Sequence, residues 1–403
     1  MFELAFTTEQ EAFRAELRAW LAAHLPPEWR EGRGTAAELP ERETERLEFL
    51  RRWQRTLAEG RWVGIHWPPE HGGRGASLEE QIIYTEEMAR VRAPGLLDPV
   101  AVNIVGPTLI AFGTAQQQRR YLPHILSAAE VWCLGFSEPG AGSDLASLRC
   151  AAVRDGDAFV VNGQKVWSSR AHVADHCLLL VRTNSGGPKH AGISCLVVDM
   201  NAPGISWRPL VQMSGRSDFG EVFLDDVRVP VGNLVGAEND GWRIIRTALG
   251  HERGTLWAFE FKIRLQNGAR ALMDLYARCR RGRGGRAADL PALRQRVVQA
   301  YIEAQIFAAH TLRILPRLHG ATDAPPEAAL QKLFGSEIDQ RNHELAMALA
   351  GPYAQLGRDR RWAIDGGAWH EAYLYSRSFT ISSGTSEILR TLLAQRALGL
   401  PRA

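Results

Sequence analysis

Two short segments of this chain bring together residue types suited to holding a flat, electron-rich ligand. The first runs Phe136-Ser137-Glu138-Pro139-Gly140-Ala141-Gly142-Ser143-Asp144. Its glycines and proline force a tight backbone path, which can turn successive N–H groups toward an anion or the electron-rich edge of a ring. The same residues also describe an interdomain turn in which Asp144 caps a helix. The second runs Asn162-Gly163-Gln164-Lys165-Val166-Trp167-Ser168-Ser169. Asn-Gly is a hairpin signal. Trp167 followed by hydroxyls on a strand would set an indole against a flat heterocycle, with Ser169 hydrogen-bonding its edge. A core Trp beside two surface serines fits the same pattern.

Other familiar chemistries leave no signature. There is no Walker loop and no Gly-x-Ser-x-Gly elbow, and His343-Glu344 lacks the second His of a zincin helix. Gly282-Arg283-Gly284-Gly285 lies between helical segments rather than after a strand, and reads as a loop. The cysteines Cys133, Cys150, Cys177, Cys195 and Cys279 are odd in number and widely spaced. That argues against a disulfide framework and against a zinc site, so no metal is expected.

The elements that must position these segments follow from periodicity. Thr8 followed by Glu11 reads as a capping box, and Phe13, Leu17, Trp20, Leu21 and Leu25 then recur at helical spacing up to Pro26 and Pro27. A second helix carries Leu47, Leu50, Trp53 and Leu57 and ends at Gly60; a Gly/Pro-rich loop covers 62–77. Helical stretches follow over 78–91, 101–112 and 115–126. Near Val131 the pattern changes to short β-branched runs at 158–161, 166–168, 177–182, 193–198 and 221–229, separated by turn signals such as Asp155-Gly156-Asp157. From Gly241 onward helix returns, interrupted at 281–291 and around Gly366-Gly367. Helices, then a compact β unit, then helices is an α+β layout, with the divisions placed at 1–130, 131–236 and 237–403. Without regular strand–helix alternation or an internal repeat, doubly wound and barrel α/β folds are disfavoured.

Composition sets the class. The 403 residues are 45% hydrophobic and 23% charged, ordinary for a soluble globular protein of two or three packed units. The net charge is +3, and the arginines are mixed with glutamates rather than gathered into a basic stripe, which argues against nucleic-acid binding. No apolar run reaches membrane-spanning length, and the start of the chain lacks the basic-then-apolar layout of a signal peptide. A reducing, cytoplasmic setting is expected.

Together the two segments resemble the flavin-binding signatures of the acyl-CoA dehydrogenase family. That family has a Ser/Thr-Glu-Pro-x-Ala-Gly-Ser-Asp segment entering its β domain and then an Asn-Gly-x-Lys-x-Trp-x-Ser/Thr strand. Other stretches resemble it in order and spacing: the loop from Gly64 to Gly73, the β-domain exit from Phe223 through Val229-Pro230 to Gly236, Gly241-Trp242 followed by Glu252-Arg253, and the terminal run from Ser383 to Arg390. The resemblance covers essentially the whole chain. It implies an N-terminal helical domain, a central β-barrel-like domain and a C-terminal four-helix bundle, assembled as a dimer or tetramer of like subunits, or from unlike ones. It implies FAD as cofactor, an acyl-CoA as substrate and an electron-transfer flavoprotein or similar acceptor. By position, Phe136 and Ser137 would meet the flavin, Trp167 and Ser169 would lie against the isoalloxazine, and Thr385 and Glu387 would lie near the cofactor's other end. Ser143 and Arg253 would meet the substrate.

The chain also departs from the family pattern. The Arg-x-x-Phe-Gly segment that many members extend toward a neighbour's FAD is not recognisable at 281–291. The family's Gln before a Gly-Gly pair corresponds to Met347, followed by Ala350-Gly351, so Gly351 alone carries over from that stretch. The chemistry needs a carboxylate to remove the Cα proton, and many members place a Glu immediately before the terminal Gly-Thr-Ser. Here that residue is Ser383, whose hydroxyl has far too high a pKa to act alone. A second subset carries its Glu on the first C-terminal helix, just before an Arg, and the resemblance therefore assigns the base to Glu252, with the backbone N–H of Ser383 as an oxyanion donor. Two other readings remain: a flavin oxidase or monooxygenase on the same fold, and a partner subunit of a hetero-oligomeric dehydrogenase.

Overall fold

Phe13, Leu17 and Leu21 recur every four residues, share one face of helix α1 (Thr8–His24), and are buried. The computed structural model describes residues 6–30, 39, 42–252, 255–281, 291–318, 326–358 and 360–401, and at a few of these, Glu252 among them, it describes the backbone alone. These residues form two compact units, one drawn from Ala5–Gln212 and Arg216–Glu252, the other chiefly from Arg253–Ala403.

In the first unit α1 is followed by the single turn α2 (Pro27–Arg30), then α3 (Glu43–Glu59), α4 (Leu78–Arg90), a π-turn at Ala101–Val105 running into α5 (Gly106–Phe112), and α6 (Ala115–Ser127). The cap of α1 lies one residue earlier than the sequence suggests. Thr7, not Thr8, accepts from Gln10 N, and the Gln10 side chain returns the bond to Thr7 N at 2.9 Å. Gln serves the capping box as well as Glu does, so the motif fits either register and the backbone selects one.

Among the described residues eight strands follow: β1 (Trp132–Gly135), β2 (Ala151–Asp155), β3 (Ala158–Ser169), β4 (His176–Arg182), β5 (Ile193–Asp199), β6 (Ile205–Leu210), β7 (Phe219–Pro230) and β8 (Leu234–Val235). Their order is β6-β7-β3-β2-β4-β5-β8, with β1 parallel to β4. The runs at 158–161 and 166–168 are the two ends of one strand, β3; β1, β2, β6 and β8 escaped periodicity because they are short or, like β6, exposed along an edge. Strand β4 is buried on both faces. Leu178 and Leu180 pack with the helices, whereas Cys177, Leu179 and Val181 face a second core shared with β3, β5 and β7. The sheet thus curls around its own barrel-like core while its outer face carries the helices.

Asp98 ties the helices to the strand that leads to Phe136. Fully buried, it accepts from Ala101 N at 2.9 Å and Trp132 N at 2.6 Å, and burial pushes its pKa up to about 6. The first unit ends with α7 (Gly241–Glu252).

The second unit is a helical bundle of α8 (Thr255–Arg281), α9 (Pro291–Leu318), α10 (Pro326–Ala350) and α11 (Ala368–Phe379), with α12 (Ser386–Arg396) laid against α10. Leu272, Leu275, Leu293, Val297, Leu345 and Leu349 form one core layer; Phe261, Leu265, Phe307 and Ile338 form another. Gly335 allows this close approach, since a Cβ there would lie 2.6 Å from the Phe307 ring. Helices before, sheet in the middle and helices after match the expected α+β architecture. Among the described residues no helix is long and apolar enough to cross a membrane, and no cluster of His, Cys, Asp and Glu could hold a metal ion. All five cysteines are free thiols.

Candidate functional site

Strand β1 delivers the first motif, because its parallel pairing with the buried β4 fixes the chain as far as Gly135. Phe136 then turns into the core. The Phe136 carbonyl accepts from the Lys165 ammonium at 3.1 Å, and the Ser137 carbonyl accepts from Val166 N at 2.9 Å. These bonds lay the first motif beside the second, within one unit. Glu138 completes the join: its carboxylate accepts from Lys165 Nζ at 2.8 Å, Arg149 N at 2.7 Å and Cys150 N at 2.8 Å. Burial opposes its ionisation, but the Lys165 charge and these donors together hold its pKa below the usual carboxylate range.

Two irregularities shape the strand that carries the second motif. Val161 pairs with Val227 and Gly163 with Leu224, so β7 holds an extra residue there. Asp226 takes φ +49° in that bulge, and the Asn162 side chain exchanges two 2.9 Å hydrogen bonds with it. Asn162-Gly163 is therefore a bulge latch inside a strand and not the hairpin turn that its residues suggest. The turn before β3 is made at Asp155-Gly156-Asp157, where Gly156 has φ +62°. Farther along, Lys165 pairs with Val222 and Ser168 with Gly220, so β3 now holds the extra residue.

That second bulge sits at Trp167, which adopts φ +63°, a conformation rarely taken by a bulky residue. Its indole is 59% exposed and meets Phe219 edge-on at a centroid distance of 5.9 Å. The core-Trp alternative is thus excluded, and so is the pair of surface serines, because Ser168 is fully buried while Ser169 is half-buried. A large aromatic held exposed by strained backbone is the feature a flat ligand would cover. Ser143 is exposed on the turn after Glu138. Asp144 precedes a 3-10 turn and accepts from Ser147 Oγ at 2.6 Å and Lys189 Nζ at 2.7 Å.

The remaining described candidates belong to the helical unit. Ser383 and Gly384 take φ +54° and +103°, and the buried Lys332 donates to the Gly384 carbonyl at 2.6 Å. Thr385 caps α12, accepting from Ile388 N at 3.2 Å. Glu387 lies in the first turn, where its own backbone N–H and the Thr385 hydroxyl hold its pKa below the usual range. Thr385, Ser386 and Glu387 line a groove of about 380 Å³ with Gln340, Thr380 and Arg390. Gly351, with φ +58°, opens the 3-10 turn that ends α10 and is not part of that groove. Glu252 is the last residue of α7, but its side chain, and Arg253 entirely, lie outside the described residues. So does most of the 281–291 segment. The residue that sequence reasoning passed over is Lys165. The available signal was a Lys, scarce in this chain, two residues before a Trp in a strand-like run.

Comparison with known proteins covers the same ground. Models of the acyl-CoA dehydrogenase N-terminal, middle and C-terminal domains match residues 7–129, 133–227 and 239–398. The chain is 40% identical over 392 residues to the acyl-CoA dehydrogenase IpdE1 of Mycobacterium tuberculosis, covering 97% of this chain and 98% of the relative. Among solved structures it is similar to the ChsE4-ChsE5 complex from Mycobacterium tuberculosis, with TM-score 0.82, 34% identity and full coverage of both chains. It is also similar to the Tcur3481-Tcur3483 steroid ACAD, with TM-score 0.81, 32% identity and full coverage of both chains.

Proposed function

This chain belongs to the acyl-CoA dehydrogenase family of FAD-dependent oxidoreductases, and we propose that it desaturates a bulky, ring-bearing acyl-CoA thioester between Cα and Cβ, giving the trans-2-enoyl-CoA. The observation that carries this reading is Trp167, held exposed at a bulge beside the Phe136–Ser137 backbone. Those residues fit a flavin: an exposed aromatic follows directly on Val166, which holds the Ser137 carbonyl, and the Ser137 N–H makes no hydrogen bond among the described residues. Phe136, Ser137, Trp167 and Ser169 would hold the isoalloxazine, while Thr385, Glu387 and Gly351 would serve the rest of the cofactor. Bound FAD supplies the acceptor for the hydride that leaves Cβ.

Glu252 takes the Cα proton in this reading. Set beside an acyl chain and a flavin, a carboxylate is desolvated, which raises its pKa toward working pH. The Ser383 backbone N–H donates to the thioester oxygen as negative charge builds there. Ser383 is much smaller than the Glu found there in many members, which leaves room beside Cα and Cβ for rings. Ser143 and Arg253 would orient the substrate.

The steroid ACAD among the similar structures supports the choice of a ring-bearing acyl group. Both similar structures pair two differently named chains, which favours a second reading in which this chain works with an unlike subunit. An electron-transfer flavoprotein or a similar carrier would take the electrons onward in the cytoplasm. The test is to purify the chain alone and with its candidate partner, then follow anaerobic bleaching of bound flavin by a panel of acyl-CoA thioesters. Protein that is well folded yet ignores FAD in both preparations would overturn the proposal. Turnover that requires O2 and no added acceptor would move the assignment to an oxidase.

A further inference from the structure

Lys165 is fully buried and Glu138 nearly so, and neither is one of the residues proposed to touch the flavin. Taking two charges out of water is costly, and apolar replacements of similar volume often stabilise a fold as well or better. What the pair does geometrically is more specific. The Lys165 ammonium is anchored on Glu138, which two backbone N–H groups fix in turn, and from that anchor it reaches the Phe136 carbonyl. A trans peptide is planar and points its C=O and N–H in opposite directions. Drawing the Phe136 carbonyl inward to a buried ammonium therefore turns the Ser137 N–H away from the core. The next carbonyl, that of Ser137, is held by Val166 N, so this peptide is fixed on both sides. Val166 is also the residue before Trp167, so the same contact ties Ser137 to the strand one residue before the indole.

We propose that Lys165 and Glu138 are positioning residues for the flavin: a buried ammonium–carboxylate pair pins the Phe136–Ser137 peptide so that its N–H faces the edge of the isoalloxazine lying on Trp167. This rests on the reading that the isoalloxazine lies there. It assigns a role to the Glu of the first motif and the Lys of the second: each lies inside a flavin segment, and their contact joins the two segments.

The experiment compares the parent, Lys165→Met, the double variant Lys165→Met/Glu138→Gln, and Trp167→Ala, each prepared with any partner subunit that the parent needs. Three quantities are read: thermal unfolding, the FAD dissociation constant by equilibrium dialysis, and the absorption band of the bound oxidised flavin. The double variant leaves no unpaired buried charge; the single amide oxygen introduced by Glu138→Gln would accept from one of the two backbone N–H groups, and the other would lose its acceptor. It should stay folded with a modestly lower unfolding temperature, yet bind FAD at least about tenfold more weakly and with a shifted band, a loss of about 1.4 kcal/mol. Lys165→Met should loosen FAD to a similar degree and be less stable. Parental affinity and band in a folded Lys165 variant would overturn the proposal. So would failure of both Lys165 variants to fold, which would assign the pair to the fold itself. If Trp167→Ala loosens FAD and the Lys165 variants do not, the flavin reading stands and the positioning role falls. If Trp167→Ala keeps parental affinity, the flavin does not lie on Trp167, and both readings fall.

Discussion

Lys165 and Trp167 are two residues apart on one strand, yet Lys165 is wholly buried and Trp167 is 59% exposed. In an unbroken strand they would share a face. One extra residue between the pairs Lys165–Val222 and Ser168–Gly220 rotates the indole to the opposite side, with φ +63° at Trp167, and puts Ser168 into the core in its place. The strain of that backbone is the cost of presenting an aromatic face outward.

Trp167→Ala should therefore weaken FAD binding by on the order of 1–3 kcal/mol, the usual worth of covering an aromatic face. Fold stability should change little, because an exposed indole supports few core contacts. Fluorescence titration with FAD, set beside a thermal melt, separates the two effects. A large drop in melting temperature with unchanged affinity would contradict this account.

Glu252→Gln should slow reduction of the flavin by substrate by about 10²–10⁴-fold while FAD and enoyl-CoA binding persist. Gln keeps the shape but cannot accept the proton. Ser383→Ala should cost far less, since its proposed contribution is a backbone N–H. Anaerobic stopped-flow bleaching gives both rates; parental bleaching in Glu252→Gln would place the base elsewhere.

Ring-bearing or branched acyl-CoA thioesters should reduce the flavin faster than straight chains of similar length. A panel in which short linear thioesters win by about tenfold, or about 1.4 kcal/mol in the barrier, would reject the inference drawn from the small side chain at Ser383.

The helical part of the first unit should show an acid-sensitive tie at Glu87. This buried carboxylate joins α1 to α4 by accepting from Arg14 at 2.9 Å, Arg18 at 2.7 Å and Arg90 at 2.7 Å. Burial alone would raise its pKa, but the three guanidinium groups outweigh it and bring the pKa down to about 2. A depressed carboxylate stabilises the fold above its unfolded pKa, and that contribution is lost as pH falls from about 4.5 toward 2. Arg18 and Arg90 reach solvent, so the contribution is trimmed to about 2 kcal/mol. The difference in unfolding free energy between the parent and Glu87→Gln, followed by urea melts, should be largest near neutrality and shrink across that window. A difference independent of pH would show that the ion pairs contribute nothing.

Local spacing determined a good deal of this protein. The face of α1 that carries Phe13, Leu17 and Leu21 is legible because helical periodicity is a property of neighbouring residues. The run of helix, strand and helix is legible for the same reason. The ordered motifs from Gly64 to Arg390 carry the family, since such matches depend on residue identity and order alone. Contacts between distant residues were decided elsewhere. Thr7 and Thr8 both offer a capping hydroxyl, and only the backbone path selects Thr7. Asn162-Gly163 has the composition of a turn, but pairing with β7 keeps it inside a strand, where Asn162 latches a bulge at Asp226. Lys165 looks like a solvated charge until Glu138, 27 residues earlier, is brought against it. The exposure of Trp167 depends on a register shift against β7, some fifty residues onward. A side chain's identity is local, but the face it presents is set by the pairing partner across the sheet, and only the folded chain supplies that partner.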